Sequence, residues 1–389
     1  MISTLFCLCA VPLAPFELFT CDGRVLPGNS FAIETNVIRW YGGKQVDLDL
    51  NDVISLSRKQ PFPPPPLDEH VVLVNGDIIP GRVARLAGLQ LHFHARLADG
   101  AEAVSVRIPL ANVSLIWLAP PDGVLRYDRY RRRLLAATRR NDNVLLRNGD
   151  LLQGVLNELD RKQVAVEMGG RRASAEFGKV AVIAFNSQLV RWRKPKQPYF
   201  RLLLANGCRL SLLSAQNKGD RLVGNTIFGA EVRLPTEEIV RLDRWQGCAV
   251  FLSDLKPAGY AFTPYLDVEW PWVRDGSVTG RDLQLGKSTF DKGLGMHAAS
   301  RLRFDLGGDY RRFEALVGMD PKTSREVKVK IRVLVDGKSR FADTLSSTGT
   351  AKWVRVDTTA GKELMLVVDF AEHGNVQAHV NWADARLIK

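Results

Sequence analysis

One turn recurs four times along the chain. Asp22-Gly23, Asn75-Gly76, Asn148-Gly149 and Asn206-Gly207 each separate two apolar runs, and both members of such a pair accept the left-handed φ of a two-residue type I′ hairpin. The same order returns around each turn: an apolar strand, the turn, a second strand, and a late strand that closes the segment. The first copy runs Phe19 to Gly28 and closes with Leu48 to Leu56; the second runs Val72 to Gly81 and closes with Ile108 to Ile116. The third runs Leu145 to Gly154 and closes with Phe177 to Phe185; the fourth runs Leu203 to Leu210 and closes with Leu234 to Leu242. Five positions after the turn glycine, Gly28, Gly81 and Gly154 fall inside the returning strand. A glycine there marks a bulge or a sharp bend. Leu212 takes that place in the fourth copy, which is the degenerate one.

A segment of about 50 residues with five short strands and a strong bend predicts a small barrel, SH3-like or Sm-like in shape. Units this small are marginal alone, so neighbours are expected to pack against one another. The expected units are residues 15–60, 68–120, 141–188 and 197–247. Pro61 to Pro66 is a stiff polyproline spacer between the first two. Residues 121–140 carry Leu125, Tyr130, Leu134 and Leu135 at helical spacing with a basic face, and predict a linker helix. Arg191 to Pro198 is a basic, proline-containing linker before the fourth copy.

Beyond residue 248 the pattern changes. Val327, Val329, Ile331, Val333 and Val335 alternate with Lys328, Lys330 and Arg332, a strand with one buried face. The blocks Asp291-Lys292-Gly293-Leu294-Gly295-Met296-His297-Ala298 and Arg311 to Asp320, followed by His379-Val380-Asn381-Trp382-Ala383-Asp384-Ala385-Arg386-Leu387, stand in an order that closely resembles the NPCBM family of carbohydrate-binding modules. The resemblance implies that residues 248–389 form a galactose-binding-like β-sandwich of jelly-roll type. It also implies a non-catalytic role: recognition of a terminal, galactose-type sugar on extracellular or envelope glycans, in a secreted or periplasmic setting. The four repeats resemble, less closely, the amino-terminal regions of uncharacterised bacterial proteins that carry such a domain. The fold class expected of the whole is therefore all-β.

A ring-binding site needs an aromatic face and a few fixed hydrogen-bonding groups. The C-terminal segment offers Trp270, Trp272, His297, His379 and Asn381 as the candidate carbohydrate-binding set, with Tyr265, Trp353 and Trp382 as further aromatics. Trp382 sits among Ala383, Ala385 and Leu387 and reads as core; His297 suits a loop-borne ligand group and a satisfied interior histidine equally. Asp384 is expected to cap or to pair with Arg386. In the resembled family the last block reads Asp-His-Ala-Asp-Trp, whereas here Ala378 and Asn381 replace both acids. The Lys-Gly-Leu-Gly-x-His block is intact, so the resemblance supports the fold more strongly than the site.

No nucleophile elbow, zinc-protease helix or phosphate loop is present, and Gly293-Leu294-Gly295 lacks the third glycine of a dinucleotide site. No catalytic residue and no cofactor is expected, although a structural cation such as calcium fits the resemblance. No apolar run reaches the ~18 residues of a membrane span. The net charge of +12 gathers in Arg126 to Arg140 and Arg191 to Lys196, between modules, as solvated faces or linkers. Aromatics are not interleaved with those charges as a nucleic-acid platform requires, which makes RNA the remote reading. A protein-interaction scaffold with a degenerate sugar site stays open, with the repeats holding protein partners. The five cysteines show no metal spacing and imply no disulfide framework, with Cys208–Cys248 left open. Residues 1–14, apolar with Ala10 and Ala14, are expected to serve as an export signal.

Overall fold

The computed structural model describes residues 14–99, 102–190, 192–264, 269–321, 326–370 and 376–389. The expected export segment lies outside them except for Ala14, whose carbonyl accepts from Arg58 Nη1 at 2.8 Å. Tyr265 also lies outside.

All four turns are hairpins, but of a different kind from the one expected. The backbone pairs reciprocally across three residues, Leu73 N–H donating to Asp77 O at 2.8 Å and Gly76 N–H to Leu73 O at 2.9 Å. Only the glycines, at φ +93°, +83°, +94° and +80°, are left-handed; the residues before them are not. This is a type I turn followed by a glycine bulge. The Asn or Asp is there for its side chain: Asp22, Asn75, Asn148 and Asn206 each accept the backbone N–H two residues on, at 3.0–3.2 Å.

Each copy continues in one pattern. In the second, Ile78–Ala87 pairs with His70–Leu73 and then with Gln90–Ala95, which pairs with Val104–Pro109. A single 3-10 turn, Leu110–Asn112, leads into Val113–Trp117, which returns to the first strand. The same turn occurs at Leu50–Asp52, Phe177–Lys179 and Thr236–Glu238.

The copies join in pairs through their closing strands. Ile116 stands opposite Ile183 between the second and third, and Leu56 opposite Leu242 between the first and fourth. All four occupy the fourth position of their strand, so each pair is related by a local two-fold passing through one repeat position. The four apolar interiors merge into one cluster, among them Phe16, Trp40, Phe93, Val166 and Leu222.

Leu212 is compensated. A Cβ on Gly28 would stand 2.5 Å from the Trp40 ring, and one on Gly81 2.7 Å from Phe93. The fourth copy exchanges the sizes: Gly224 occupies the place of Trp40 and Phe93, and its own Cβ would meet Ser214 O at 2.4 Å and Leu212 Cδ1 at 2.8 Å. Large and small side chains have swapped strands, and the volume between them is conserved.

The linker helix forms at Tyr127–Ala136. Its basic face is divided: Arg126, Arg129 and Arg133 are exposed as expected, whereas Arg131 is buried. Tyr127, Tyr130 and Leu134 pack on Val72, Leu115, Trp117 and Val182 of the second and third copies. On its other side Arg131 meets Asp282 at 2.7 Å, Asp128 meets Arg281 at 2.9 Å, and Arg132 donates to Asp275 O at 2.6 Å. Arg139 is buried as well.

The C-terminal segment is a two-sheet antiparallel sandwich. One sheet runs Val273–Arg274, Gly293–His297, His379–Ile388, Arg312–Met319, Lys352–Asp357, with Ala249–Phe251 also on His379–Ile388. The other runs Gly259–Phe262, Ser300–Asp305, Glu363–Phe370, Lys328–Val335, Lys338–Ser346. Val329, Ile331, Val333 and Val335 face the core, as their alternation predicts, and Trp382 lies fully inside it.

Sandwich and repeats are joined by buried charge and one covalent bond. Arg201 pairs with Asp77 of the second copy and with Asp291 of the sandwich; Arg209 reaches Asp291 at 2.8 Å. Burial alone would raise the Asp291 carboxyl, but Arg209 and Arg201 outweigh it and hold it well below the usual range. Asp384 does not pair with Arg386. An extra residue opposite Glu314–Leu316 bulges the strand and turns Asp384, at φ +50°, toward Arg241 of the fourth copy. Arg386 pairs instead with Glu314 at 3.1 Å. Cys21 and Cys248 form a disulfide with Cα atoms 6.2 Å apart, while Cys208 is free and buried. The Cys208–Cys248 option is therefore excluded: Cys208 follows a turn glycine into the core of the fourth copy, and Cys21 lies in a separate small cluster with Ile54, Ala249 and Ile388.

Candidate functional site

Two strands end side by side at one pole of the sandwich. Gly293–His297 pairs with His379–Ile388 in a register that puts His297 opposite His379. The glycines of the Lys292–His297 block serve this packing: a Cβ on Gly293 would lie 2.2 Å from Trp382 O, and one on Gly295 2.4 Å from Gly276 O. Lys292 bonds Asp254 at 2.5 Å and Asp275 at 2.9 Å. Leu294 and Met296 are core. Within the block, His297 alone reaches the pole.

There the aromatic rings cluster. Trp270 lies parallel to His297, with centroids 4.7 Å apart and an 8° interplanar angle. His379 stands 5.4 Å from Trp270 and 5.2 Å from His297, and Phe262 closes the far side at 6.1 Å. The Tyr260 hydroxyl donates to Trp270 O at 2.5 Å and fixes the indole-bearing loop. His297 is 2% exposed, whereas Trp270 and His379 are half-buried.

Both imidazoles are held neutral. Burial pushes His297 down to about 4, against the opposing contact of Nδ1 with Ala298 O. That contact, at 2.5 Å, requires Nδ1 to donate, leaving Nε2 as an acceptor. Burial also lowers His379, with the Asp320 carboxylate opposing it. The pole thus presents an indole edge and a neutral imidazole with both a donor and an acceptor, a surface suited to hydroxyls and to an apolar ring face.

The other two candidates lie elsewhere. Trp272 packs at the edge of the sandwich core with Arg274 over its ring at 5.7 Å. Asn381 is fully buried; its Nδ2 donates to Gln284 O at 3.0 Å, holding the Leu283–Phe290 hairpin to the sheet, and its Oδ1 has no partner. The chain's replacement of an acid by Asn381 thus falls on an interior position, and Ala378 is interior too. Strand parity explains the miss: 379 and 381 lie on one face, but the hairpin covers that face one turn beyond His379. Trp353, a further aromatic, meets Phe19 of the first copy at 6.0 Å across the junction. Phe262 and Tyr260 were not singled out in the sequence, where nothing separates them from ordinary strand aromatics. Among the described residues, no three His, Cys, Asp or Glu side chains converge as a metal site.

Residues 249–388 match the family model described as NPCBM/NEW2 domain. A curated relative, "Putative endo-alpha-N-acetylgalactosaminidase" of Renibacterium salmoninarum, is 32% identical over 110 residues, 28% of this chain and 7% of the relative. The chain thus spans a small part of that protein's length. Among solved structures, a CBM51 module from Clostridium perfringens GH95 in complex with methyl-galactose is 26% identical, covering 36% of this chain and 99% of that one at a TM-score of 0.33. The CBM51-2 module with INT domains from Clostridium perfringens ZmpB, in complex with GlcNAc, is 24% identical over 46% of this chain and 40% of that one, at a TM-score of 0.34. No helix among the described residues is long and apolar enough to cross a membrane.

Proposed function

We propose that the protein is a non-catalytic glycan binder that holds a terminal galactose-type sugar at the Trp270–His297–His379 pole. The four repeats, on this reading, are SH3-like barrels that carry the module and offer surface to protein partners. The observation that carries the proposal is the ring cluster: His297 stacked under Trp270 at 4.7 Å with His379 alongside. His297 is a positioning residue here, too deep to touch ligand, and it braces the indole. His379 and Trp270 are the contact groups. A galactose-type ring suits them because its axial hydroxyl leaves one face continuously apolar while grouping hydroxyls at the rim. One shallow site of this size gives a dissociation constant of roughly micromolar to millimolar. Export fits the disulfide between Cys21 and Cys248, a bond that persists in oxidising compartments.

Calorimetric titration of the full chain with methyl galactoside tests this. Binding by the wild type, lost in His379→Ala and in Trp270→Ala at unchanged melting temperature, is the expected result. No heat from the wild type, or binding indifferent to both variants, overturns it. The second reading, a scaffold with no working sugar site, is favoured by one observation: Asn381 of the candidate set points inward and serves to hold a hairpin. It predicts the null titration.

A further inference from the structure

The linker helix and the edge of the sandwich enclose a groove of about 1270 Å³. Five guanidiniums line it: Arg126, Arg129, Arg132 and Arg133 from the helix region and Arg274 from the sandwich. Among the described residues none of the five has a carboxylate partner, whereas the neighbouring Arg131 and Arg281 each have one. Arg132 uses its donors on the carbonyls of Asp275 and Arg274. The lone acid in the groove, Asp275, is already bound to Lys292. Arg126, Arg129, Arg133 and Arg274 are exposed, so the groove holds concentrated positive charge with no internal counter-ion.

The sandwich edge of the groove lies close to the proposed sugar pole. Trp270, Trp272 and Arg274 follow one another on the segment that enters the Val273–Arg274 strand, so Arg274 lies within roughly 13 Å of Trp270 along extended chain. That is the reach of a short oligosaccharide.

We propose that this groove binds an anionic glycan chain, its carboxylates or sulfates on the arginines, continuing from the sugar held at the pole. The assignment rests on the glycan-binding reading of the sandwich. A single-stranded nucleic acid fits less well, because it needs open aromatic faces on which to stack. The aromatic rings here are already covered by the protein's own arginines, Tyr130 by Arg133 at 5.0 Å and Trp272 by Arg274 at 5.7 Å.

The test is titration of the full chain with oligogalacturonate, neutral galacto-oligosaccharide and poly(U), each at low and high salt. Oligogalacturonate is expected to bind tighter than the neutral sugar and to weaken with salt. Arg126→Gln/Arg129→Gln/Arg133→Gln should lose about tenfold of that affinity, at a fraction of a kcal/mol per exposed charge, with neutral-sugar binding unchanged. Should the triple variant fold poorly, Arg126→Gln alone should lose about twofold. Neutral-sugar binding without any preference for oligogalacturonate overturns the groove and leaves the pole standing. Oligogalacturonate binding without neutral-sugar binding upholds the groove and removes the pole. Poly(U) binding tighter than oligogalacturonate, and lost in the same variant, also overturns it.

Discussion

The repeats place their buried charges between units, whereas the sandwich carries polar groups inside. In the four copies the merged core is a cluster of apolar side chains, with few uncharged polar groups buried besides, among them Thr20, His70 and Thr226. Arg201, Arg209, Arg241 and Asp77 are buried where one copy meets another or meets the sandwich. The sandwich encloses His297, Asn381, Asp320 and Ser277, with the last two hydrogen-bonded to each other at 2.5 Å. A repeated unit must satisfy the same interior several times, so its specificity moves to the seams. A single domain can hold unlike polar groups in its interior, and those positions are available for function.

Three experiments probe that contrast, taken from the largest expected effect. Asp291→Ala removes the carboxylate shared by Arg201 and Arg209 and leaves both guanidiniums buried at the seam. The expected loss is about 3–5 kcal/mol, read as a shift of one common urea transition. If the seam is as rigid as its ion pairs imply, sandwich and repeats unfold together; a separate, unshifted transition for the repeats would break the comparison.

Next is the exchange of sizes in the fourth copy. Leu212→Gly opens a cavity and should cost roughly 2–5 kcal/mol, and Gly224→Phe alone should clash with Leu212 at a cost of roughly 1–3 kcal/mol. Combined, the two relieve the clash with Leu212 but not the one with Ser214 O, so only part of the loss should be recovered. Strictly additive costs in the double-mutant cycle would show that the strands do not compensate each other.

Acid should act on the sandwich pole through His297 and, through the buried His70 of the second copy, on the repeats as well. A histidine whose folded-state value lies below its free value favours the folded state only while neutral. The His297 contribution is therefore whole above about 6.5 and is lost as pH falls toward its folded value of about 4. The loss reaches up to about 3 kcal/mol by that point. His297→Gln should flatten this part of the pH–stability profile; an unchanged profile would mean that His297 is not the group responsible.

What the sequence discloses follows from how local each cause is. The hairpins are legible at Asn75-Gly76 and its fellows because a glycine and a side-chain oxygen two residues away determine the turn without help from the rest of the chain. Even so, the turn type is misjudged, since Asn75 looks alike whether it supplies positive φ or an acceptor. Val329 to Val335 is legible for the same local reason. Asn381 is not: its parity matches that of His379, and only the Leu283–Phe290 hairpin decides that one is covered and the other open. Asp384 reaches Arg241 through a bulge created by its partner strand, and nothing in Ala383-Asp384-Ala385 announces that. Arg126, Arg129 and Arg133 are solvated as their spacing suggests, but Arg131 is buried against Asp282, because helical spacing says nothing of a second body on that side.

The bond between Cys21 and Cys248 joins residues 227 apart in sequence. Every strand of the four repeats beyond the first lies between those two sulfurs, so the repeats form a closed loop of chain with the sandwich hanging from it as a pendant. A cut at any linker within that loop, whether at Pro61 to Pro66 or around Lys194, opens the ring without freeing a fragment. The nicked molecule keeps its repeats and its sandwich on one particle. The ring turns a severing event into a change of connectivity alone.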